Sequence, residues 1–185
     1  ASHAAAVNCD VTTGLRLGDF TVQYAPANQY DLLYSDRAYN KTSSVGATNA
    51  EYDGVDIQFR HALSSIHVNV KTDMTYPDGT ITVNKIELQN VWCTATFNEN
   101  LTTGTEAESA TSAAWTDHKN SQTIVLGDTN MPVVYDKAKY GTTSILIPQL
   151  FDHYATDYVS LYVEYTIKNG DGSTLPQKAT FRLNE

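Results

Sequence analysis

The chain has 185 residues, and its 12 Lys and Arg against 21 Asp and Glu give a formal net charge of −9. This balance excludes a nucleic-acid partner, because a phosphate backbone needs a basic patch, and it disfavours anionic membrane surfaces. Charged residues make up 18% of the chain, below the roughly 25% of an average soluble domain. Thr, Ser, Asn and 12 Tyr fill the difference, a composition typical of extracellular β-proteins.

Strands dominate the predicted elements, because apolar and polar residues alternate with a period of two along most of the chain. Residues 1–14 are small and polar, which predicts a flexible tail. A phase change in the apolar pattern predicts a β-bulge near Asn84 and Lys85. In chain order, the predicted strands cover residues 15–24, 80–88, 91–97, 122–126, 144–150, 158–167 and 178–183, with a further pair inside 55–72. Residues 30–34 are predicted to form either a strand or a single helical turn.

The pair inside residues 55–72 has the sequence VDIQFRHALSSIHVNVKT. Apolar and polar residues alternate in both of its halves, and the short segment His61-Ala62-Leu63-Ser64 between them predicts a corner. Two long polar stretches, residues 35–54 and 98–114, predict loops.

This spacing of strands and turns, without an amphipathic helix, predicts an all-β fold with little helix. The expected architecture is an antiparallel β-sandwich that forms a single domain over residues 15–185. No run of about 18 apolar residues occurs, so no transmembrane helix is predicted.

No catalytic or metal-binding motif stands out. The sequence has no zinc motif, nucleophile elbow or P-loop, and the NGDGS segment fits a tight turn better than a calcium loop. His61 and His67 are expected to be solvated strand residues. Candidate acids for glycoside hydrolysis are Glu87, Glu99 and Glu164, although strand-face positions favour a structural role. We therefore expect no enzyme activity, no cofactor and no metal.

Cys9 and Cys93 permit two readings. A disulfide between them would close a long loop and stabilise the fold by about 3–4 kcal/mol. In the alternative, they are separate thiols, one in the tail and one buried in a strand, since Cys93 is in phase with the apolar residues around it.

Aromatic residues in or beside the predicted loops are candidates for ligand contacts, since such rings offer an apolar face and a polar tip. They equally suit a role as anchors that pack loops onto the sandwich. The candidates are Tyr39, Tyr52, Trp115, Tyr135, Tyr140 and Tyr154.

Four phrases resemble the fimbrillin family of Bacteroidetes, which comprises Mfa-like and FimA-like pilins and pilus-tip adhesins. The first is FRHALSSIHVNVKT at residues 59–72. QYDLLY at residues 29–34 is similar to the family's Q-x-D-L-L-Y segment, and residues 86–97 resemble its strand pair around a short turn. LIPQ at residues 146–149, followed by the strand at 159–167, resembles its L-I-P-Q block.

The resemblance implies a fimbrillin or transthyretin-like Greek-key sandwich, exported as a lipoprotein precursor to the outer surface of a Gram-negative cell. It implies a structural subunit or adhesin of a type V-like fimbria, assembled by β-strand complementation with other pilin subunits. An adhesin would also bind a host glycan or protein. Maturation by cleavage after a basic residue points to Arg16 and Arg37, and the chain is expected to be a fragment of a longer pilin, a processed subunit or a shorter variant.

Two other functions remain open at this stage. One is a surface carbohydrate-binding module that uses the loop aromatic residues. The other is a secreted glycan-active enzyme, for which no catalytic constellation can be read.

Overall fold

The computed structural model describes residues 6–10, 14–35, 59–72, 79–99, 113–127, 130–133, 139–151 and 158–183. In these ranges the fold is all-β, as predicted, and the only helix is a single 3-10 turn at Pro26–Asn28. The strands are β1 Ala6–Asp10, β2 Gly14–Thr21, β3 Leu33–Ser35, β4 Phe59–His61, β5 Ser64–Ile66, β6 Asn69–Val70, β7 Thr80–Glu99, β8 Ala113–Gly127, β9 Met131–Val133, β10 Lys139–Tyr140, β11 Ser144–Leu146, β12 Ser160–Lys168 and β13 Thr174–Arg182.

Strand β7 organises the main sheet, which is antiparallel throughout and has the order β1-β2-β7-β12-β13, with β8 and β9 also paired to β7. Leu88 of β7 pairs with both β8 and β12, and Phe97 pairs with both β8 and β2. Strands β12 and β2 therefore lie end to end along the edge of β7 opposite to β8.

Three two-stranded ladders, β3–β4, β5–β11 and β6–β10, supply the opposing layer. Together with the main sheet they enclose two apolar clusters. One lies over the first half of β7 and includes Ile86 and Leu88, against which Ile66 and Val70 pack. The other lies over the second half and includes Ala95 and Phe97, with Leu63 from the corner after β4. The antiparallel sandwich predicted from the sequence is thus the observed architecture.

The predicted bulge is confirmed. Glu164 of β12 pairs with Lys85, whereas the next residue, Tyr165, pairs with Val83, so Asn84 is the extra residue. Its side-chain Nδ2 donates a hydrogen bond of 2.7 Å to the Thr166 hydroxyl. The amide thereby ties the bulge to the neighbouring strand.

Several strand boundaries differ from the predictions, and β8 begins at Ala113 rather than at residue 122. The expected break between residues 88 and 91 is absent, since β7 is one continuous strand of 20 residues, with Asn90 at φ 64°. Part of the predicted tail is also ordered, because Ala6–Asp10 forms β1 and pairs with β2. Backbone hydrogen bonds stabilise β1, whose side chains at residues 6–9 are exposed.

The corner predicted at residues 61–64 is observed between β4 and β5, where Ala62 and Leu63 are buried. The predicted strand after the corner is divided into β5 and β6, and residues 55–58 of the predicted strand before it lie outside the described residues. The two predicted loops fall largely outside the described residues, since the structure describes neither 36–58 nor 100–112.

Candidate functional site

The core-facing side of β13, at one end of the main sheet, carries exposed apolar side chains. Phe181 is 54% exposed and Leu175 is 50% exposed. Phe181 pairs with Leu161 and Leu175 pairs with Ile167 of β12. Directly opposite side chains point to the same face of a sheet, and Leu161 packs against the core. The main sheet therefore extends beyond the part of the core that the opposing layer covers.

The opposite face of β12 and β13 is polar. The Tyr162 hydroxyl donates to the Glu164 carboxylate at 2.5 Å, and Lys178 Nζ lies 3.3 Å from the same oxygen. The hydrogen bond from Tyr162, followed by the bond and charge of Lys178, lowers the pKa of Glu164. The same bond to Glu164 raises the pKa of Tyr162, because it stabilises the protonated phenol. The two faces of β13 are therefore chemically distinct.

In the opposing layer, a side chain forms hydrogen bonds with the edge of strand β11 that faces away from β5. Gln29 Oε1 accepts from the Ile145 N–H at 2.6 Å, and Gln29 Nε2 donates to the Ile145 carbonyl at 3.1 Å. The same amide contacts the buried Ser144 hydroxyl at 2.9 Å. Ile145 pairs with β5 on its other side. The Gln29 amide thus occupies the place of a neighbouring strand.

A cleft of about 310 Å³ opens between the corner after β4 and the β7–β8 pair, lined by Tyr34, His61, Ala62, Phe97, Trp115 and Pro148. Phe97 lies at its base, with ring centroids 5.2 Å from Tyr34 and 5.1 Å from Trp115. The indole Nε1 of Trp115 donates to the Ala62 carbonyl at 2.7 Å. His61 Nδ1 is paired with the Asp31 carboxylate.

Of the aromatic residues predicted to contact a ligand, Trp115 is the one that lines this cleft within the part of the chain that the structure describes. It also packs against Phe20 and Phe97, so it is an anchor of the core as well. Tyr140 lies in β10, where its backbone pairs with Asn69. The remaining candidates, Tyr39, Tyr52, Tyr135 and Tyr154, lie outside the described residues.

The cysteines are not joined: both are free thiols, Cys9 exposed on β1 and Cys93 buried in β7. Strand register keeps them apart, since Cys9 pairs with Leu15 whereas the Cys93 carbonyl accepts from the N–H of Val22, just past the other end of β2. Burial was correctly predicted for Cys93, and it raises the pKa of the thiol to about 11.

Of the two predicted cleavage positions, Arg37 lies outside the described residues and Arg16 lies within β2. Arg16 pairs with Asn8 of β1 and with Asn98 of β7. A protease would reach this peptide bond only after β2 has opened locally. Cleavage after Arg16 or Arg37 stays a prediction.

The three acids considered for catalysis are placed on separate structural contacts. Glu87 binds Lys85 and Gln89, and Glu99 Oε2 accepts from the Leu15 N–H at 3.2 Å. Glu164 binds Tyr162 and Lys178. Within the described ranges, no three His, Cys, Asp or Glu side chains gather in a way that suits a metal ion.

Sequence reasoning missed Tyr34 and Pro148 at the cleft, Asp31 as the partner of His61, and the edge-capping role of Gln29. A signal was present, because these residues fall inside the QYDLLY and LIPQ phrases. Their roles depend on contacts between residues far apart in the sequence, such as Gln29 and Ile145, which are 116 residues apart.

A two-layered antiparallel sandwich with a half-exposed apolar strand at the end of its main sheet places the chain among the all-β sandwich proteins. No helix among the described residues is long and apolar enough to cross a membrane. A family model described as fimbrillin-like matches residues 2–184, so the chain belongs to the fimbrillin-like family. Comparisons with curated proteins and with solved structures gave no significant match.

Membership in this family confirms the resemblance of the four phrases. The family is one of structural pilins rather than enzymes, and its members are subunits that assemble with one another in a cell-surface appendage.

Proposed function

We propose that this protein is a structural subunit of a bacterial surface fimbria and that it assembles by β-strand complementation at β13. The observation that carries the proposal is the half-exposed core-facing side of β13, with Leu175 and Phe181. A strand added beside β13 would extend the sheet, and its apolar side chains would cover these two residues. Main-chain hydrogen bonds would supply the affinity, as in other strand-addition complexes.

The position of Pro176 limits the part of the β13 edge that can pair with an added strand. Proline has no N–H to donate to a ladder and is tolerated on edge strands. Continuous pairing is therefore expected over Gln177–Arg182, the part of β13 that follows Pro176. The donor is a strand of another copy or of a related subunit with apolar residues on alternate positions.

The wider setting follows from the family. We infer that the subunit acts on the outer surface of a Gram-negative cell of the Bacteroidetes. The two apolar clusters share strand β7, which supports a single domain over residues 15–185, with β1 attached to it. An adhesin role would require a ligand-binding site in addition to the β13 edge that accepts a strand.

Two neighbouring substitutions on β13 test the proposal. Phe181→Asp places a charge on the core-facing side of the strand, whereas Thr180→Asp places the same charge on the opposite face of the same edge. Both side chains are exposed, so we expect both monomers to fold. Oligomers of the wild-type chain, measured by light scattering and negative-stain microscopy, should persist in Thr180→Asp and disappear in Phe181→Asp.

Assembly of Phe181→Asp at the wild-type level would exclude β13 as the accepting edge. A wild-type chain that stays monomeric at every concentration, and also after removal of the residues up to and including Arg16 or Arg37, would contradict strand complementation as a whole.

A further inference from the structure

The aromatic cleft combines features that its structural role does not require. Its base is the buried Phe97 ring, and its sides include the rings of Tyr34 and Trp115. The Trp115 N–H is already bonded to the Ala62 carbonyl, which fixes the orientation of the indole ring. Trp115 therefore offers a ligand its ring rather than its hydrogen-bond donor.

A polar pair lies beside these rings. The side chain of His61 is 75% exposed and that of Asp31 is 33% exposed, and the two are in contact through Nδ1 and a carboxylate oxygen. An imidazole and a carboxylate together offer both donors and acceptors to a ligand. Because the pair is solvent-accessible, it can exchange hydrogen bonds with water for hydrogen bonds with hydroxyl groups.

We propose that this cleft binds one pyranose ring of a neutral saccharide. A pyranose has an apolar C–H face, which suits an aromatic ring, and a rim of hydroxyl groups, which suits the His61–Asp31 pair. The volume of about 310 Å³ is at the lower end of the range of ligand pockets, which favours a single ring over a larger group. Asp31 and the net charge of −9 disfavour an anionic ligand.

The proposal is independent of strand complementation and goes beyond it, since the cleft is built on β3, β4, β7 and β8 whereas the accepting edge is β13. A subunit with both features would associate with its neighbours at one surface and hold a glycan at another. Loss of either activity would leave the other measurable.

The test is a titration of the monomeric chain with methyl pyranosides of glucose, galactose, mannose and N-acetylglucosamine, followed by the indole N–H resonance of Trp115. We expect at least one pyranoside to shift this resonance with a dissociation constant of about 1 mM, at the weak end of the affinity scale. Tyr34→Leu and His61→Ala should each weaken binding about tenfold, because one wall or one polar partner is lost.

Tyr24→Ala is the matched control, since Tyr24 is an exposed tyrosine that does not line the cleft. The Tyr24→Ala chain should bind the pyranoside with the same affinity as the wild type. Absence of binding by every pyranoside, with the fold intact by circular dichroism, would overturn the proposal. So would unchanged affinity in both Tyr34→Leu and His61→Ala, or a Trp115 shift with tetramethylammonium and with none of the sugars.

Discussion

The side-chain amide of Gln149 forms hydrogen bonds with both the backbone N–H and the backbone carbonyl of Trp92. Gln149 Oε1 accepts from the Trp92 N–H at 2.9 Å, and Gln149 Nε2 donates to the Trp92 carbonyl at 3.0 Å. Trp92 lies in β7 between the residues that pair with β12, which end at Gln89, and those that pair with β2, which begin at Thr94. The amide thus provides hydrogen bonds where neither of those strands pairs with β7.

We expect Gln149→Ala to destabilise the fold by about 1–3 kcal/mol, because Trp92 loses the partners of its backbone N–H and carbonyl. The Ile147 carbonyl, which also accepts from Gln149 Nε2, loses a partner as well. Gln149→Glu should be destabilising too, since a carboxylate keeps the acceptor for Trp92 but has no donor. Urea unfolding followed by circular dichroism measures the change.

Gln122→Ala is the control for this substitution, because Gln122 is exposed on β8. Its free energy of unfolding should stay within about 0.5 kcal/mol of the wild type. A Gln149→Ala chain as stable as Gln122→Ala would show that water replaces the amide at Trp92 without cost.

The two cysteines should differ sharply in reactivity. Burial raises the pKa of Cys93 to about 11, so its reactive thiolate is scarce near neutral pH, whereas Cys9 is exposed. We expect Cys9→Ser to abolish labelling of the native chain by iodoacetamide, and Cys93→Ser to leave it unchanged. Mass spectrometry of the intact protein is the measurement, with denatured Cys9→Ser as the positive control. Rapid labelling of native Cys9→Ser would place Cys93 at the surface.

The elements that the sequence predicts well are those with a local pattern. The bulge at Asn84 follows from a change of apolar phase between Val83 and Ile86, which any strand would have to accommodate. Burial of Cys93 follows from the same alternation. Such patterns act over a few residues and require no knowledge of the neighbouring strands.

What the sequence does not predict depends on pairing over long distances. Residues 89–90 look like a turn, yet β7 continues through them with an irregularity at Asn90, and β8 pairs with it on both sides of Asn90. Strand β1 has exposed side chains at residues 6–9, so no alternation marks it and only its pairing with β2 defines it. The cleft likewise joins β3 and β4 to β7 and β8, elements that no spacing rule relates.

Phe97 and Phe59 provide a matched pair for the contribution of the core. Phe97 is 1% exposed and contacts two aromatic rings, whereas Phe59 is 64% exposed on β4. Phe97→Ala should lower the free energy of unfolding by roughly 3–5 kcal/mol, through lost burial and the cavity left behind. Phe59→Ala should change it by less than about 0.5 kcal/mol. Equal effects on thermal unfolding would contradict this placement of the second apolar cluster.

The contact between Tyr162 and Glu164 predicts how stability depends on pH. The pKa of Glu164 is lowered in the folded state, mainly by the Tyr162 hydrogen bond, from an ordinary value of 4.5. Its contribution to stability is therefore complete above that ordinary value and is lost as the pH falls through the lower folded-state pKa. The pKa of Tyr162 is raised from 10.0, so its contribution is complete below that value and is lost as the pH rises through the folded-state pKa.

Glu164→Gln should consequently reduce the loss of stability as the pH falls below the ordinary value of 4.5, because the group that titrates is removed. Tyr162→Phe should reduce both the acid and the alkaline loss, since it removes one titrating group and the main cause of the other shift. Urea midpoints across the pH range measure these slopes, with Tyr24→Phe, an exposed tyrosine, as the control. An acid slope in Tyr162→Phe as steep as in the wild type would assign the lowered pKa of Glu164 to Lys178 instead.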